Sequence, residues 1–242
     1  EFDEKLGRYY FHMFTKEQPD LNWRNPDVRA AMLDIFRYWL NKGVDGFRLD
    51  VFNCWYKDAA LRDNPRLSGL DRRPFESYDH IYDVSQPEMI SALQDIRKIL
   101  DAYPERYVVG ETFLADSAHA RTYIGDDRLH AGFDYGYANS PFSARAFGKA
   151  IQYWDSLHGE EAWPNYFLNN HDTSRSSTRY ARPSEDAKLK LLATMHLTVR
   201  GTPYLYYGEE IGMRDISLSR GQIQDPVGKR YWPFNKGRDG CR

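Results

Sequence analysis

Five short apolar segments alternate along the chain with segments of helical periodicity, and this alternation restricts the fold more than any other feature. The apolar segments end near residues 50, 111, 134, 170 and 207. Because strands that are separated by helices pair in parallel, we expect an α/β protein with crossover helices. Two architectures fit this alternation, a doubly wound sheet and a (β/α)8 barrel.

The helix ahead of the first strand is marked at both ends. Asn25 is a residue type that caps helix N-termini, and Pro26 suits the first helical position. Gly43 is expected to end this helix. Ser85 and Glu88 have the spacing of a capping box and predict the start of the next helix. Further helices are expected over about 115–124, 142–157 and 184–199, and a long connection over 51–84.

Carboxylates at strand ends decide between the two architectures. Asp50, Glu111 and Asp172 each follow a different apolar segment, and barrel enzymes place their chemistry just past the ends of several strands. A doubly wound fold more often has a glycine-rich phosphate turn after its first strand, and none is present. The sequence therefore predicts a (β/α)8 barrel. Five strands out of eight indicate a chain that begins partway round, with strands four to eight present.

The residues around each carboxylate suggest a chemistry, although each has a structural alternative. Arg48 lies two residues before Asp50, so both side chains should face one side of the strand, and the arginine should keep that carboxylate ionised. Glu111 follows an apolar strand that could raise its pKa. Taken alone, Arg48 and Asp50 could be an ordinary surface ion pair, and Glu111 could be a solvated strand end. His171 beside Asp172 could likewise be a structural pair. In this order along one chain they form a specific pattern.

Composition excludes several classes of function. The 242 residues carry a formal net charge of -2, which argues against a nucleic-acid or membrane-surface partner. No apolar run approaches the roughly 20 residues of a membrane span. The two cysteines, Cys54 and Cys241, form no Cys-x-x-Cys pair, so we expect no zinc site, reduced thiols and a cytoplasmic location. Aromatic residues make up 15% of the chain, which suits sugar stacking and ordinary cores equally.

With these motifs the chain resembles the α-amylase family of glycoside hydrolases (family 13), in its oligo-1,6-glucosidase and α-glucosidase branch. The matching segments extend from residue 18 to residue 212. They are Gln18-Pro19-Asp20-Leu21-Asn22, Gly46-Phe47-Arg48-Leu49-Asp50, Val109-Gly110-Glu111-Thr112, Asn169-Asn170-His171-Asp172, Gly201-Thr202-Pro203 and Gly208-Glu209-Glu210-Ile211-Gly212.

The resemblance implies a role for each matching position. Asp50 would be the nucleophile, Glu111 the general acid and base, and Asp172 would stabilise the distorted transition state. Arg48 would hold Asp50 charged and in place, and His171 would bind sugar hydroxyls. These roles describe a retaining mechanism, which needs two carboxyl groups about 5–5.5 Å apart.

The resemblance also implies parts that the chain lacks. The Asp…Asn-His motif of the third strand and the early calcium-binding loop would precede residue 1. We therefore expect one partial catalytic barrel domain over 1–242, in which 1–24 is the tail of a loop subdomain and 25–242 runs from the third helix past strand eight. No metal site and no cofactor are expected. Because part of the sugar pocket and three strands would be missing, full activity is not expected of an isolated piece of this kind. Its oligomeric state is not predicted.

Linkage and reaction outcome remain open between alternatives. A valine after the nucleophile, here Val51, resembles the α-1,6-acting members, although valine also simply suits a strand end. The expected substrate is a short oligosaccharide or a disaccharide. The alternatives are a transglucosylase or sugar isomerase that acts on sucrose or trehalose, and a non-catalytic partner of a membrane transporter, a class that generally lacks parts of the acidic set.

Overall fold

The computed structural model describes residues 1–68, 75–160 and 162–241. The chain forms two compact units, Glu1–Gly132 and Phe133–Arg242. Residues 69–74 of the long connection expected over 51–84 lie outside the described residues. The expected assignment of 1–242 to one partial barrel domain stays a prediction.

The first unit is built around three parallel strands with helices between them. Its sheet has the order β3-β4-β5, so each strand pairs with its successor in the chain. A two-stranded antiparallel hairpin, which the sequence analysis missed, precedes the first helix. The elements are β1 (Phe2–Asp3), β2 (Arg8–Tyr9), α1 (Pro26–Asn41), β3 (Gly46–Leu49), α2 (Met89–Leu100), β4 (Tyr107–Gly110), α3 (Ser117–Thr122) and β5 (Ala131–Gly132).

The ends of α1 are confirmed, whereas the start of α2 is not as predicted. The side chain of Asn25 accepts a hydrogen bond from the Asp27 amide, and Gly43 adopts φ 92° just past the helix. The capping box at α2 is wrong: Glu88 is itself the cap residue, and its side chain makes no capping hydrogen bond. It forms an ion pair with Arg24 instead. A charged long-range partner therefore displaces the local bond.

The core of the first unit lies between the two long helices and the sheet. The apolar residues that line one face of α2 are buried, and they pack in one cluster with α1 and with β3 and β4. The cluster includes Phe36, Leu40, Leu49, Phe52, Met89, Leu93, Ile96, Leu100 and Val108. Because this cluster is close-packed, it holds the ends of β3 and β4 in fixed positions relative to α1 and α2.

The second unit repeats the alternation with shorter strands. Its parallel strands β6 and β7 pair from Asn165 opposite Thr202 to Phe167 opposite Tyr204. The elements are α4 (Tyr135–Ala138), α5 (Ala144–His158), β6 (Asn165–Phe167), α6 (Ser176–Tyr180), α7 (Asp186–Thr198), β7 (Thr202–Tyr204) and α8 (Pro226–Tyr231).

One local prediction fails because a side chain caps a helix, and another holds with a shorter helix. The strand expected over 132–135 ends at Gly132, because Asp134 accepts hydrogen bonds from the amides of Gly136 and Tyr137 and so begins α4. The helix expected over about 115–124 is present as the shorter α3, whose N-terminus the side chain of Asp116 caps. Among residues 1–68, 75–160 and 162–241, no helix combines the length and apolar character needed to cross a bilayer.

Candidate active site

The register of β3 and β4 places two of the predicted carboxylates at the same level. Leu49 pairs with Gly110, and the amide of Glu111 donates a hydrogen bond of 2.9 Å to the carbonyl oxygen of Leu49. Asp50 and Glu111 are the next residues of the two strands. They therefore leave the same edge of the sheet side by side.

Arg48 contacts both of these carboxylates. Its Nη1 atom binds Oδ1 of Asp50, as predicted, and its Nη2 atom binds Oε2 of Glu111, which the sequence analysis did not foresee. The Asp50 side chain is 71% exposed, whereas that of Glu111 is 6% exposed. Glu111 follows an apolar strand, as noted from the sequence, but a strand neighbour also supplies a guanidinium to the buried carboxylate.

Gly110 allows the close packing behind Glu111. A Cβ atom at this position would lie 2.4 Å from Cδ1 of Leu129 and 2.4 Å from Cε1 of Phe52. Real Cβ contacts are never that short, so only glycine fits between these two buried side chains. The Val-Val-Gly-Glu segment therefore has a packing reason for its glycine directly before the carboxylate.

Val51 follows Asp50 in a backbone conformation that is unusual for a β-branched residue, with φ 33° and ψ 41°. Its side chain packs against a small buried cluster of Met13, Cys54 and Val84. Burial in this cluster raises the pKa of the Cys54 thiol to about 12. Arg48, Asp50 and Val51 also border a cavity of about 470 Å³, which is within the usual range for small-molecule sites.

In the second unit, Asp172 lies between two basic side chains. Its Oδ2 atom is 3.2 Å from Nε2 of His171, and its Oδ1 atom is 2.5 Å from Nε of Arg238. The backbone amide of Asp172 donates to the side chain of Asn170 at 3.0 Å. The predicted His171–Asp172 pair is therefore present. Arg238 was missed, because it follows no strand and has no periodic pattern around it.

Glu209, in the Gly208-Glu209-Glu210 segment, forms structural hydrogen bonds within the second unit. Oε1 of Glu209 accepts a hydrogen bond of 3.0 Å from the Ser176 hydroxyl, and Oε2 accepts one of 3.1 Å from the Tyr206 amide. Burial raises the pKa of this carboxyl, and these two hydrogen bonds oppose the rise. Glu209 thus connects the loop after β7 to the start of α6.

The predicted site residues fall into two groups. Arg48, Asp50, Val51 and Glu111 are together in the first unit, and His171 and Asp172 are together in the second. The convergence of all three carboxylates on one sugar pocket stays a prediction, as do their catalytic roles.

Comparison with known proteins identifies the family. The model of the alpha amylase catalytic domain matches residues 1–242. A probable alpha-glucosidase of Rhizobium meliloti is 35% identical over 258 residues, which cover 100% of this chain and 46% of that protein. An oligo-1,6-glucosidase of Parageobacillus thermoglucosidasius is 35% identical over 235 residues, which cover 89% of this chain and 40% of that protein.

A solved structure gives the same result for the fold. The crystal structure of the alpha-glucosyl transfer enzyme XgtA is similar with a TM-score of 0.89 and 35% identity, over 97% of this chain and 45% of that one. The chain thus spans about half the length of the curated relatives it matches. The catalytic domain of this family is a (β/α)8 barrel, which confirms the predicted fold class. The chain belongs to the alpha-amylase family, and all of its residues match the catalytic domain.

Proposed function

We propose that this chain carries the catalytic carboxylates of a retaining α-glucosidase that hydrolyses short α-glucosides. The observation that supports it most is the contact of one guanidinium, that of Arg48, with both Asp50 and Glu111. Retaining glycosidases hold their two carboxyl groups about 5–5.5 Å apart, a separation that a single guanidinium can bridge. Their unequal exposure suits different roles.

In the first step, the exposed Asp50 attacks the anomeric carbon of the glucosyl unit. The bond from that carbon to the leaving oxygen breaks, and Glu111 gives its proton to the oxygen. Burial favours the protonated form of a carboxyl group, and a neighbouring guanidinium favours the ionised form. The Arg48–Glu111 contact therefore has to loosen when substrate enters, while the contact with Asp50 remains.

In the second step, Glu111 takes a proton from a water molecule. The water oxygen bonds to the anomeric carbon, and the ester bond to Asp50 breaks, which regenerates the carboxylate. Two displacements at one carbon give a product of retained configuration. The first step needs Asp50 ionised and Glu111 protonated, and the second begins with Glu111 ionised and Asp50 esterified, so Arg48 can pair with whichever carboxylate is ionised.

Asp172 and its partners are proposed to bind the same glucosyl unit. His171 and Arg238 hold the Asp172 carboxylate from two sides, which leaves it oriented as a hydrogen-bond acceptor for sugar hydroxyls. An anionic, oriented carboxylate also stabilises the positive charge that develops on the sugar ring. This role requires Asp172 to join Asp50 and Glu111 at one pocket in the complete protein.

Val51 supports a preference for α-1,6 over α-1,4 linkages. It lies directly after Asp50 and borders the cavity described above, and an oligo-1,6-glucosidase is among the relatives. The proposed substrates are therefore isomalto-oligosaccharides and related disaccharides. The test is a comparison of kcat/KM for isomaltose and maltose in the complete natural protein and in its Val51→Ala and Val51→Thr variants.

The proposed mechanism is tested by two measurements on the complete natural protein. NMR of the first product should show the α-anomer; an inverted product would rule out the mechanism. A 2-fluoro glucosyl fluoride should trap an ester that mass spectrometry maps to Asp50. The variant Asp50→Asn should lose at least about 1,000-fold in kcat. Asp45→Asn, which changes a 93% exposed carboxylate before β3, should keep its activity within about twofold.

Transfer of the glucosyl unit to another sugar is the second candidate. It is supported by the similarity to an alpha-glucosyl transfer enzyme, and it uses the same ester intermediate with a sugar hydroxyl in place of water. Product analysis with sucrose at high concentration separates the two: equal amounts of free glucose and fructose indicate hydrolysis, and new disaccharides or trisaccharides with a deficit of free glucose indicate transfer.

We keep a cytoplasmic location and the absence of a resident metal or cofactor as proposals. The buried, unpaired thiol of Cys54 agrees with a reducing compartment. Cell fractionation and metal analysis of the purified protein test these two points directly.

A further inference from the structure

Asn53 joins the segment after Asp50 to the segment after Glu111. Its side chain is fully buried, and its Oδ1 atom accepts a hydrogen bond of 2.8 Å from the Phe113 amide. Its Nδ2 atom donates to the Phe113 carbonyl oxygen at 2.8 Å. One amide thus pairs with both polar groups of one backbone residue, as a neighbouring strand would.

The same side chain continues into a buried hydrogen-bond network. Nδ2 of Asn53 also donates to Oγ of Ser85 at 3.0 Å, and the Ser85 amide donates to the Asn53 carbonyl oxygen at 2.6 Å. Ser85 is hydrogen-bonded to the phenol of Tyr123, whose oxygen lies 3.0 Å from Nε2 of His119. The orientation of the Asn53 amide is fixed, because the Phe113 amide needs an acceptor and the Phe113 carbonyl oxygen needs a donor.

With this contact, hydrogen bonds connect the two chain segments both before and after the two carboxylates. On one side of Asp50 and Glu111, the strands are joined by the hydrogen bond from the Glu111 amide to Leu49. On the other side, three residues after Asp50 and two after Glu111, they are joined by Asn53 and Phe113. If the two backbone segments slid relative to one another, one of these hydrogen-bonded joints would break.

We propose that Asn53 is a positioning residue that sets where the Glu111 carboxyl lies relative to Asp50. This inference rests on the proposed function, because it assigns Asn53 to the proton-transfer step of that reaction. Asn53 touches neither substrate nor reacting atoms. It acts through the backbone of Phe113, two residues beyond Glu111, so its loss should affect protonation of the leaving group more than attack by Asp50.

The side chain required here is specific. Aspartate has the shape of asparagine and can accept from the Phe113 amide, but its ionised form turns a second acceptor toward the Phe113 carbonyl oxygen. Alanine removes both hydrogen bonds. A matched control is Gln86, a buried amide of the same unit whose Nε2 atom donates to the carbonyl oxygens of Ile81 at 2.9 Å and Val84 at 3.1 Å. Gln86→Ala also removes two bonds to backbone, but none to Phe113.

The first measurement does not depend on activity. Amide hydrogen exchange at Phe113 in the complete natural protein should speed up by at least about tenfold in Asn53→Ala, the loss expected for one net hydrogen bond, and by less in Asn53→Asp, which keeps an acceptor for this amide. Gln86→Ala should leave exchange at Phe113 unchanged. Equal exchange at Phe113 in wild type and in Asn53→Ala would show that the joint between Asn53 and Phe113 does not exist.

The second measurement separates proton transfer from nucleophilic attack. A sugar leaving group needs a proton from Glu111, whereas fluoride leaves without one. In single-turnover measurements of the first step, Asn53→Ala and Asn53→Asp should lose at least about tenfold in rate on isomaltose and stay within about threefold of wild type on α-glucosyl fluoride. The first step is measured by itself because the second step needs Glu111 as base with either substrate. Gln86→Ala should show no difference between the two substrates.

Three outcomes overturn the inference. They are equal losses on both substrates, no loss on either, and a selective loss that Gln86→Ala reproduces. Asn53→Asp keeps the test decisive if Asn53→Ala does not fold, because it conserves volume and one hydrogen bond. A wild-type protein that cleaves neither substrate would instead refute the proposed function, and with it the assigned role, whereas the exchange data would still decide whether the joint exists.

Discussion

Arg48 and Glu111, sixty-three residues apart in the chain, form an ion pair in which the carboxylate is nearly fully buried. The same guanidinium contacts the exposed Asp50. A single cation thus lies between an accessible and an inaccessible carboxylate at the ends of adjacent strands. This asymmetry gives the two acids the different surroundings that the proposed two-step displacement needs.

Replacing Arg48 should impair the reaction far more than replacing a similar arginine at the other end of the strands. Arg48→Ala removes the guanidinium that holds the proposed nucleophile Asp50 in place. Loss of one charge-assisted hydrogen bond of about 1.5–3 kcal/mol corresponds to about 10- to 100-fold in kcat/KM. Arg106→Ala removes a 3.3 Å ion pair with Asp45 at the start of β4 and should stay within about twofold. Steady-state kinetics of both variants checks the contrast. Similar losses in the two would argue against a special role for Arg48.

Gly110 and Gly148 should respond to alanine in opposite directions. At Gly110 the new Cβ would lie 2.4 Å from Phe52 and Leu129, so overpacking should destabilise the protein by about 1–3 kcal/mol. Gly148 is inside α5 with nothing within 4 Å of an added Cβ, and Gly148→Ala should stabilise it by about 0.5–1 kcal/mol. Urea unfolding measures both. A neutral Gly110→Ala would mean that the packing around Glu111 is looser than described.

The Cys54 thiol should be inert in the folded protein. Burial raises its pKa to about 12, so the reactive thiolate is nearly absent at pH 8. In a Cys241→Ser background, a thiol reagent should label Cys54 only after denaturation. Because the folded-state pKa lies above the unfolded value of 9.0, stability should fall as the pH rises from about 9 to 12. Rapid labelling of the native protein at pH 8 would contradict this expectation.

His196 should make the protein less stable in acid. The ring is buried, lying 3.2 Å from the Tyr137 hydroxyl and 3.2 Å from the Tyr204 carbonyl oxygen, and burial lowers its pKa below 6.5. The unfolded chain therefore takes up a proton at higher pH than the folded one, and stability is lost as the pH falls below 6.5. In His196→Gln this part of the pH dependence should disappear, as measured by urea unfolding at pH 7 and pH 5. An unchanged slope would exclude His196 as its source.

Features that depend on residues close together in the chain could be predicted from the sequence. The alternation of apolar segments predicts the parallel strands, and Asn25 with Pro26 predicts the start of α1, because capping depends on residues three or fewer positions apart. Arg48 and Asp50 were paired correctly for the same reason. Competing contacts produced the errors: Asp134 caps a helix locally where a strand was expected, and Glu88 binds the distant Arg24 instead of capping α2.

Contacts between distant segments were decided by the tertiary structure. No pattern in the sequence indicates that Arg48 reaches Glu111, that Asn53 pairs with Phe113, or that Arg238 approaches Asp172. Each contact depends on strand register and on the path of a loop, and these are fixed by burial of side chains far along the chain. The sequence by itself therefore determined which carboxylates end which strands. Only packing decided which cation and which amide hold them in place.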